Sequence, residues 1–168
     1  MNGVVKKAVV LTAGMGLRSL PATKAVPKAL LTVFDRPAVQ WVCEEAAQSG
    51  AREILLVVAP DGAVKKHFSK DEALERALAE QNKLNELAAV SALARLNVDF
   101  AVQQSAGGSG EALLCAREFA GDKPFFLLNF FCARGSRRAL SWPRAMPSRV
   151  CLRSGRLKEV RDLAATEY

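Results

Sequence analysis

The chain is poor in the residues around which many catalytic and metal centres are built. Its 168 residues include one histidine, one tyrosine and four cysteines. His67 stands between Lys66 and Phe68 and reads as a surface residue, and no motif sets an acid and a nucleophile beside it, so a hydrolase triad is excluded. Cys43, Cys115, Cys132 and Cys151 have no short pairwise spacing. That argues against a zinc site or a redox pair and for free thiols in a reducing cytoplasm. No apolar run reaches the roughly 18 residues that a membrane helix needs. Lys6-Lys7 before an apolar run imitates a signal peptide, but Gly14, Gly16 and Arg18 interrupt that run.

Acidic residues are scarce towards the C-terminus. Residues 132–161 hold eight Arg and one Lys against Glu159 alone, whereas the other residues nearly balance, so the formal charge of +7 comes from this stretch. A bulk reading of the basic pI as nucleic-acid affinity therefore misplaces the charge. Trp142 is the one aromatic among these arginines, short of the aromatic-and-basic interleaving that a base-stacking platform requires, so nucleic acid is a minority reading.

What is present is concentrated in residues 8–31, AVVLTAGMGLRSLPATKAVPKALL. Ala8-Val9-Val10-Leu11 is a short apolar, β-branched run, suited to a strand covered on both faces. Gly14 and Gly16 follow, permitting angles that side chains forbid, so the chain can turn sharply and aim N–H groups at an anion. Arg18 adds a planar cationic fork and Lys28 a point charge. The pattern fits a nucleoside triphosphate site and equally a tight strand-to-helix turn with surface cations. It is neither a Walker loop, which needs Lys-Ser/Thr after the glycines, nor the dinucleotide fingerprint, which needs a third glycine.

The wider pattern resembles the signature of sugar-1-phosphate nucleotidylyltransferases. Leu11-Thr12-Ala13-Gly14-Met15-Gly16-Leu17-Arg18, Leu20-Pro21-Ala22-Thr23-Lys24 and Pro27-Lys28 carry it, followed by Asp35-Arg36-Pro37, Gln40-Trp41-Val42, Glu45 and Gly50. A second block, Gln103-Gln104-Ser105-Ala106-Gly107-Gly108-Ser109-Gly110-Glu111-Ala112, is similar in spacing to the family's base-recognition loop. The resemblance covers about residues 5–127 and is strongest to the bacterial UTP:glucose-1-phosphate uridylyltransferases. A segment after His67-Phe68 with Leu74, Leu78, Leu84, Leu87, Val90 and Leu93 looks like the helical insertion of that branch, which favours UTP over dTTP.

The resemblance implies a doubly wound, mostly parallel α/β sheet of the Rossmann-like nucleotide-diphospho-sugar transferase type. It implies that Leu11, Ala13, Gly14 and Gly16 lie against the nucleotide, that Gln103 and Gly108 read uracil, and that Arg18 and Lys28 are the catalytic cations. The implied reaction is in-line attack of a sugar 1-phosphate on the α-phosphorus of UTP with loss of pyrophosphate, which needs positioning and charge neutralisation. Implied partners are UTP and a sugar 1-phosphate in the cytoplasm, with no membrane, and a homo-oligomer is compatible with it.

The chain departs from the family pattern in two places. Leu17 stands where a threonine is usual. More seriously, the strand ending Phe125-Phe126-Leu127-Leu128 continues Asn129-Phe130-Phe131-Cys132, with no aspartate where the family's Mg²⁺ ligand is expected. The expectation is therefore Mg²⁺ for the family, no assignable metal ligand in this chain, and little or no activity of the chain alone.

Residues 1–128 read as the nucleotide-binding part and 129–168 as an atypical Arg-rich tail. A basic binding arm, a solvated extension and a reading-frame change all remain open for that tail. The sugar-binding half and an acidic-Lys-Pro motif are not visible, so the chain reads as truncated or frame-shifted after about residue 128. The alternatives to a uridylyltransferase are a non-catalytic UTP-binding remnant and a basic-tailed nucleic-acid-binding protein.

Strands are expected at about 7–12, 53–59, 98–102 and 124–128, with helices at about 37–49, 71–95 and 109–118 and weak strand-like alternation at 155–160. In such sheets ligands bind beyond the carboxyl ends of the strands, where the glycine turn and the Gln103 loop would meet.

Overall fold

The computed structural model describes residues 5–129 and, as backbone, 149–152. The alternation at 155–160 lies outside the described residues. Among them the strands are β1 (Lys7–Leu11), β2 (Thr32–Val33), β3 (Arg36–Pro37), β4 (Glu53–Val58), β5 (Val98–Val102), β6 (Phe125–Asn129) and β7 (Arg149–Leu152). The helices are α1 (Ala38–Gln48), α2 (Ala63–Phe68), α3 (Glu72–Glu80), α4 (Leu84–Leu93), α5 (Gly108–Cys115) and α6 (Arg117–Ala120).

The main sheet has the order β5-β4-β1-β6-β7, parallel throughout except for the antiparallel pair β6-β7. β1 is central because its residues can be buried on both sides: Ala8, Val9 and Val10 are each 0% exposed. Successive side chains of a strand point to opposite faces. Accordingly Ala8, Val10, Ile54, Leu56 and Val58 share one core with Val39, Val42 and Cys43 of α1 and Val64 and Phe68 of α2. Val9, Leu11, Leu55 and Val57 share the other with Ala112 and Leu113 of α5 and Ala120 of α6. Each fully buried Val or Leu contributes about 1.5–3 kcal/mol of transfer free energy. The two cores therefore stabilise β1 and β4 from both faces.

The doubly wound, mostly parallel architecture follows the expectation, and the four parallel strands fall within a residue or so of their expected positions. The expected single helix over 71–95 is two helices. Asp71 caps α3 by accepting the Leu74 N–H at 3.0 Å, and α3 ends before Asn82, whose left-handed φ of 54° turns the chain back. α4 then packs against α3 as a helical hairpin. Likewise 109–118 divides into α5 and α6 at Ala116.

The chain runs from β1 through β4 to β5 on one side and then returns to β6 on the other side of β1. The strand order thus reverses beside β1, and a crevice opens at the carboxyl ends of the strands where it does so.

Candidate nucleotide site

Two loops leave that edge, both fastened to the end of β4. Thr12, the residue after β1, donates its N–H and its hydroxyl to the Val57 carbonyl, each at 2.8 Å. Gln103, the residue after β5, donates its N–H to the adjacent Val58 carbonyl at 2.9 Å. Thr12 and Gln103 are the only buried polar residues among those described, each 7% exposed.

Beyond Thr12 the chain turns at Gly16, in the left-handed region with φ 66°. The Gly16 carbonyl accepts the Ser19 N–H and the Thr23 hydroxyl, both at 2.8 Å. A Cβ on Gly16 would lie 2.9 Å from Lys28 Cβ and 3.0 Å from Thr23 Cγ2. Gly16 is therefore needed both for its angle and for close packing. The expectation that Gly14 also supplies a forbidden angle is corrected: its φ is not positive, and open space surrounds the place its Cβ would take.

The loops enclose a cavity of about 400 Å³, and all eight residues selected from the sequence line it: Leu11, Ala13, Gly14, Gly16, Arg18, Lys28, Gln103 and Gly108. Thr12, Ser19 and Ser109 add hydroxyl-bearing residues, and Arg18 and Lys28 are the charged residues of the lining. Leu17, standing for the usual threonine, is 63% exposed.

At the Gln103 end the loop is organised by Glu111 of α5. Its carboxylate accepts the Gln103 Nε2 at 3.0 Å, the Gly107 N–H at 2.7 Å and the Ser105 hydroxyl. These donors, Ser105 foremost and then Gln103, hold the Glu111 carboxyl below its ordinary range. Glu111 also completes the start of α5, where a carboxylate satisfies an unpaired N–H and complements the helix dipole.

Thr12, Thr23 and Glu111 are the functional-looking residues that the sequence did not single out for a role. Thr12 had a readable signal, a hydroxyl directly after a buried run. Glu111 stands in the same block, residues 103–112, as its three donors, and its hold on Gln103 shows only in the fold.

His67, expected at the surface, is half-buried. Its Nε2 lies 3.2 Å from Gln40 Oε1 and its ring meets Phe68 edge-on, 5.0 Å between centroids. Burial holds its pKa below the usual value. It does not line the cavity.

The crevice lies at the reversal of a doubly wound parallel sheet, with a glycine turn and two cations on one side and an amide on the other, the edge at which α/β domains of this class hold their ligands. Residues 7–133 match the family model described as Nucleotidyl transferase, and the chain belongs to that family. It is 42% identical over 130 residues to the UTP–glucose-1-phosphate uridylyltransferase YngB of Bacillus subtilis, covering 76% of this chain and 44% of that protein. It is 40% identical over 130 residues to the UTP–glucose-1-phosphate uridylyltransferase of Mycoplasma genitalium, with the same coverage. The UTP-bound UGPase from Acinetobacter baumannii superposes with a TM-score of 0.70 at 36% identity, over 74% of this chain and 45% of that one. The chain thus spans about 44% of the length of the curated relatives it matches.

The family typically uses Mg²⁺. Among the described residues no group of three or more His, Cys, Asp or Glu is placed to hold a metal, and no carboxylate-bearing residue lines the cavity. Asn129 ends β6 in register with Leu11. The described lining, cationic and without a carboxylate, does not by itself fit a Mg²⁺ ion. No described helix is long and apolar enough to cross a membrane.

Proposed function

We propose that this chain holds UTP for uridylyl transfer to a sugar 1-phosphate, glucose 1-phosphate being the substrate in the names of its relatives. The observation that carries the reading is the convergence of Arg18, Lys28, the Gly14–Gly16 turn and Gln103 on one cavity.

The two ends of that cavity differ in charge. Arg18 and Lys28 attract the triphosphate, and the glycine turn lets phosphate oxygens approach the main chain. At the other end Glu111 already occupies the start of α5 with negative charge, so the phosphates are directed away from it and the base towards it. Gln103 and Gly108 then meet the polar edge of uracil, as an amide and a peptide group can.

In the reaction a sugar-phosphate oxygen attacks the α-phosphorus, the bond to the β-phosphate breaks, and pyrophosphate leaves with the electron pair. Arg18 and Lys28 stabilise the charge on the phosphoryl oxygens as it redistributes. The reaction is placed in a reducing cytoplasm, which suits the free Cys43 and Cys115.

The described lining supplies cations but no carboxylate, which favours a second reading in which the chain alone binds UTP and turns it over slowly or not at all. Calorimetry and a UDP-glucose assay test both. Lys28→Ala and Gln103→Ala are each expected to weaken UTP binding about tenfold, a cost of about 1.4 kcal/mol. Unchanged affinity in both variants would sink the site, and UDP-glucose formation at an ordinary enzymatic rate would sink the non-catalytic reading.

A further inference from the structure

Beyond its charge, which turns the phosphates away, Glu111 fixes the atom that would face the base. Gln103 Nε2 has two acceptors, the Glu111 carboxylate at 3.0 Å and the Gly108 carbonyl at 3.2 Å. An amide nitrogen carries two hydrogens, so both are engaged. The flipped amide would set its oxygen against a carboxylate and a carbonyl, which excludes that orientation on chemical grounds. Among the described residues Gln103 Oε1 has no partner, and no buried side-chain nitrogen or oxygen there lacks one. Oε1 is therefore not fully buried, and it belongs to a residue that lines the cavity.

We propose that Glu111 is the positioning residue for base selection: by holding the Gln103 amide with Oε1 outward, it makes the site accept an imide N–H, as in uracil, and reject the bare N3 of cytosine. The inference rests on the uridine reading above. Its physical basis is that an acceptor held rigidly opposite another acceptor leaves both unpaired, and such mismatches discriminate more strongly than lost apolar contact. Gly107 is part of the device. A Cβ there would run into the Glu111 carboxylate, so only glycine lets the carboxylate reach the Gly107 N–H.

The test is calorimetric titration of the full chain with UTP, CTP and inorganic triphosphate, for the wild type, Glu111→Gln, Gly107→Ala and Gln103→Ala. In Glu111→Gln the replacement amide can present either oxygen or N–H to Gln103, so the Gln103 amide can turn over. The wild type is expected to prefer UTP to CTP at least about tenfold, and Glu111→Gln and Gly107→Ala to lose most of that preference. Triphosphate affinity should not fall by more than about twofold in either, whereas a general loss of loop structure would lower it. Should Glu111→Gln fail to fold, Gly107→Ala gives the same readout. A wild-type preference kept in the Glu111 and Gly107 variants but lost in Gln103→Ala overturns the role of Glu111 and leaves the uridine reading standing. No preference in the wild type overturns the uridine reading and this inference with it.

Discussion

Thr12 and Val57 are joined twice, since the Thr12 N–H and hydroxyl both donate to the Val57 carbonyl at 2.8 Å. The main-chain bond extends the β1-β4 ladder by one residue, and the hydroxyl bond fixes the side chain at the point where the glycine turn begins. Gln103 hangs from the next carbonyl of β4, so the spacing between the two walls of the cavity is set by one rigid, buried strand.

Thr12→Val keeps the shape and removes the hydroxyl. The Val57 carbonyl retains its main-chain donor, so the expected cost is about 1 kcal/mol, with Tm falling by about 2–4 °C. UTP affinity should fall as well, because the turn loses its side-chain anchor. Thermal melts and calorimetry check this, and a variant equal to wild type in both would show that the second bond is idle.

The two glycines of the turn should separate cleanly. Gly16→Ala places a Cβ at φ 66° and 2.9 Å from Lys28 Cβ, so it should destabilise the fold by about 1–3 kcal/mol and displace Lys28. Gly14→Ala meets no atom within 4 Å and should leave Tm near wild type, while its methyl group enters the space the ligand needs and weakens UTP binding. Equal effects of the two changes on Tm would contradict the distinction.

The sequence made the central sheet legible because β1 and β4 are unbroken apolar runs that only a strand buried on both faces explains. The candidate site was legible because its cations and glycines lie within one motif, and the Gln103 loop repeats the logic after a second strand. The split of 71–95 was not, since it rests on the left-handed angle of Asn82 and on α4 packing back on α3, neither of which the apolar spacing shows. α2, with six residues, and the β2-β3 hairpin, with two per strand, are too short to show a period. The contact of Glu111 with Gln103 depends on how α5 meets the end of β5, which no local pattern encodes.

His67 gives a pH dependence whose sign is set by burial. Its folded pKa lies below the usual value of 6.5, so the unfolded chain binds the proton more readily. Stability is then full above the unfolded value and is lost as pH falls through it towards the lower folded value. Melting curves between pH 7 and pH 5 should show Tm falling on acidification, and His67→Gln should reduce that slope. An unchanged slope in His67→Gln would assign the effect to other groups.

Arg18 supplies the sharpest test of which end of the cavity holds charge. It is exposed, and among the described residues no carboxylate pairs with it, so its field is available to a ligand but open to salt. UTP affinity should therefore drop as ionic strength rises from 0.05 to 0.5 M, where the screening length shrinks from roughly 14 to 4 Å, whereas uridine affinity should not. Arg18→Ala should weaken UTP about fivefold, a loss near 1 kcal/mol as expected for a partly exposed pair, flatten the salt dependence and spare uridine. Arg18→Lys should restore the salt dependence but not the full affinity, because a point charge replaces a two-pronged donor. If uridine and UTP respond to salt alike, the cations do not face the phosphates and the nucleotide lies the other way round.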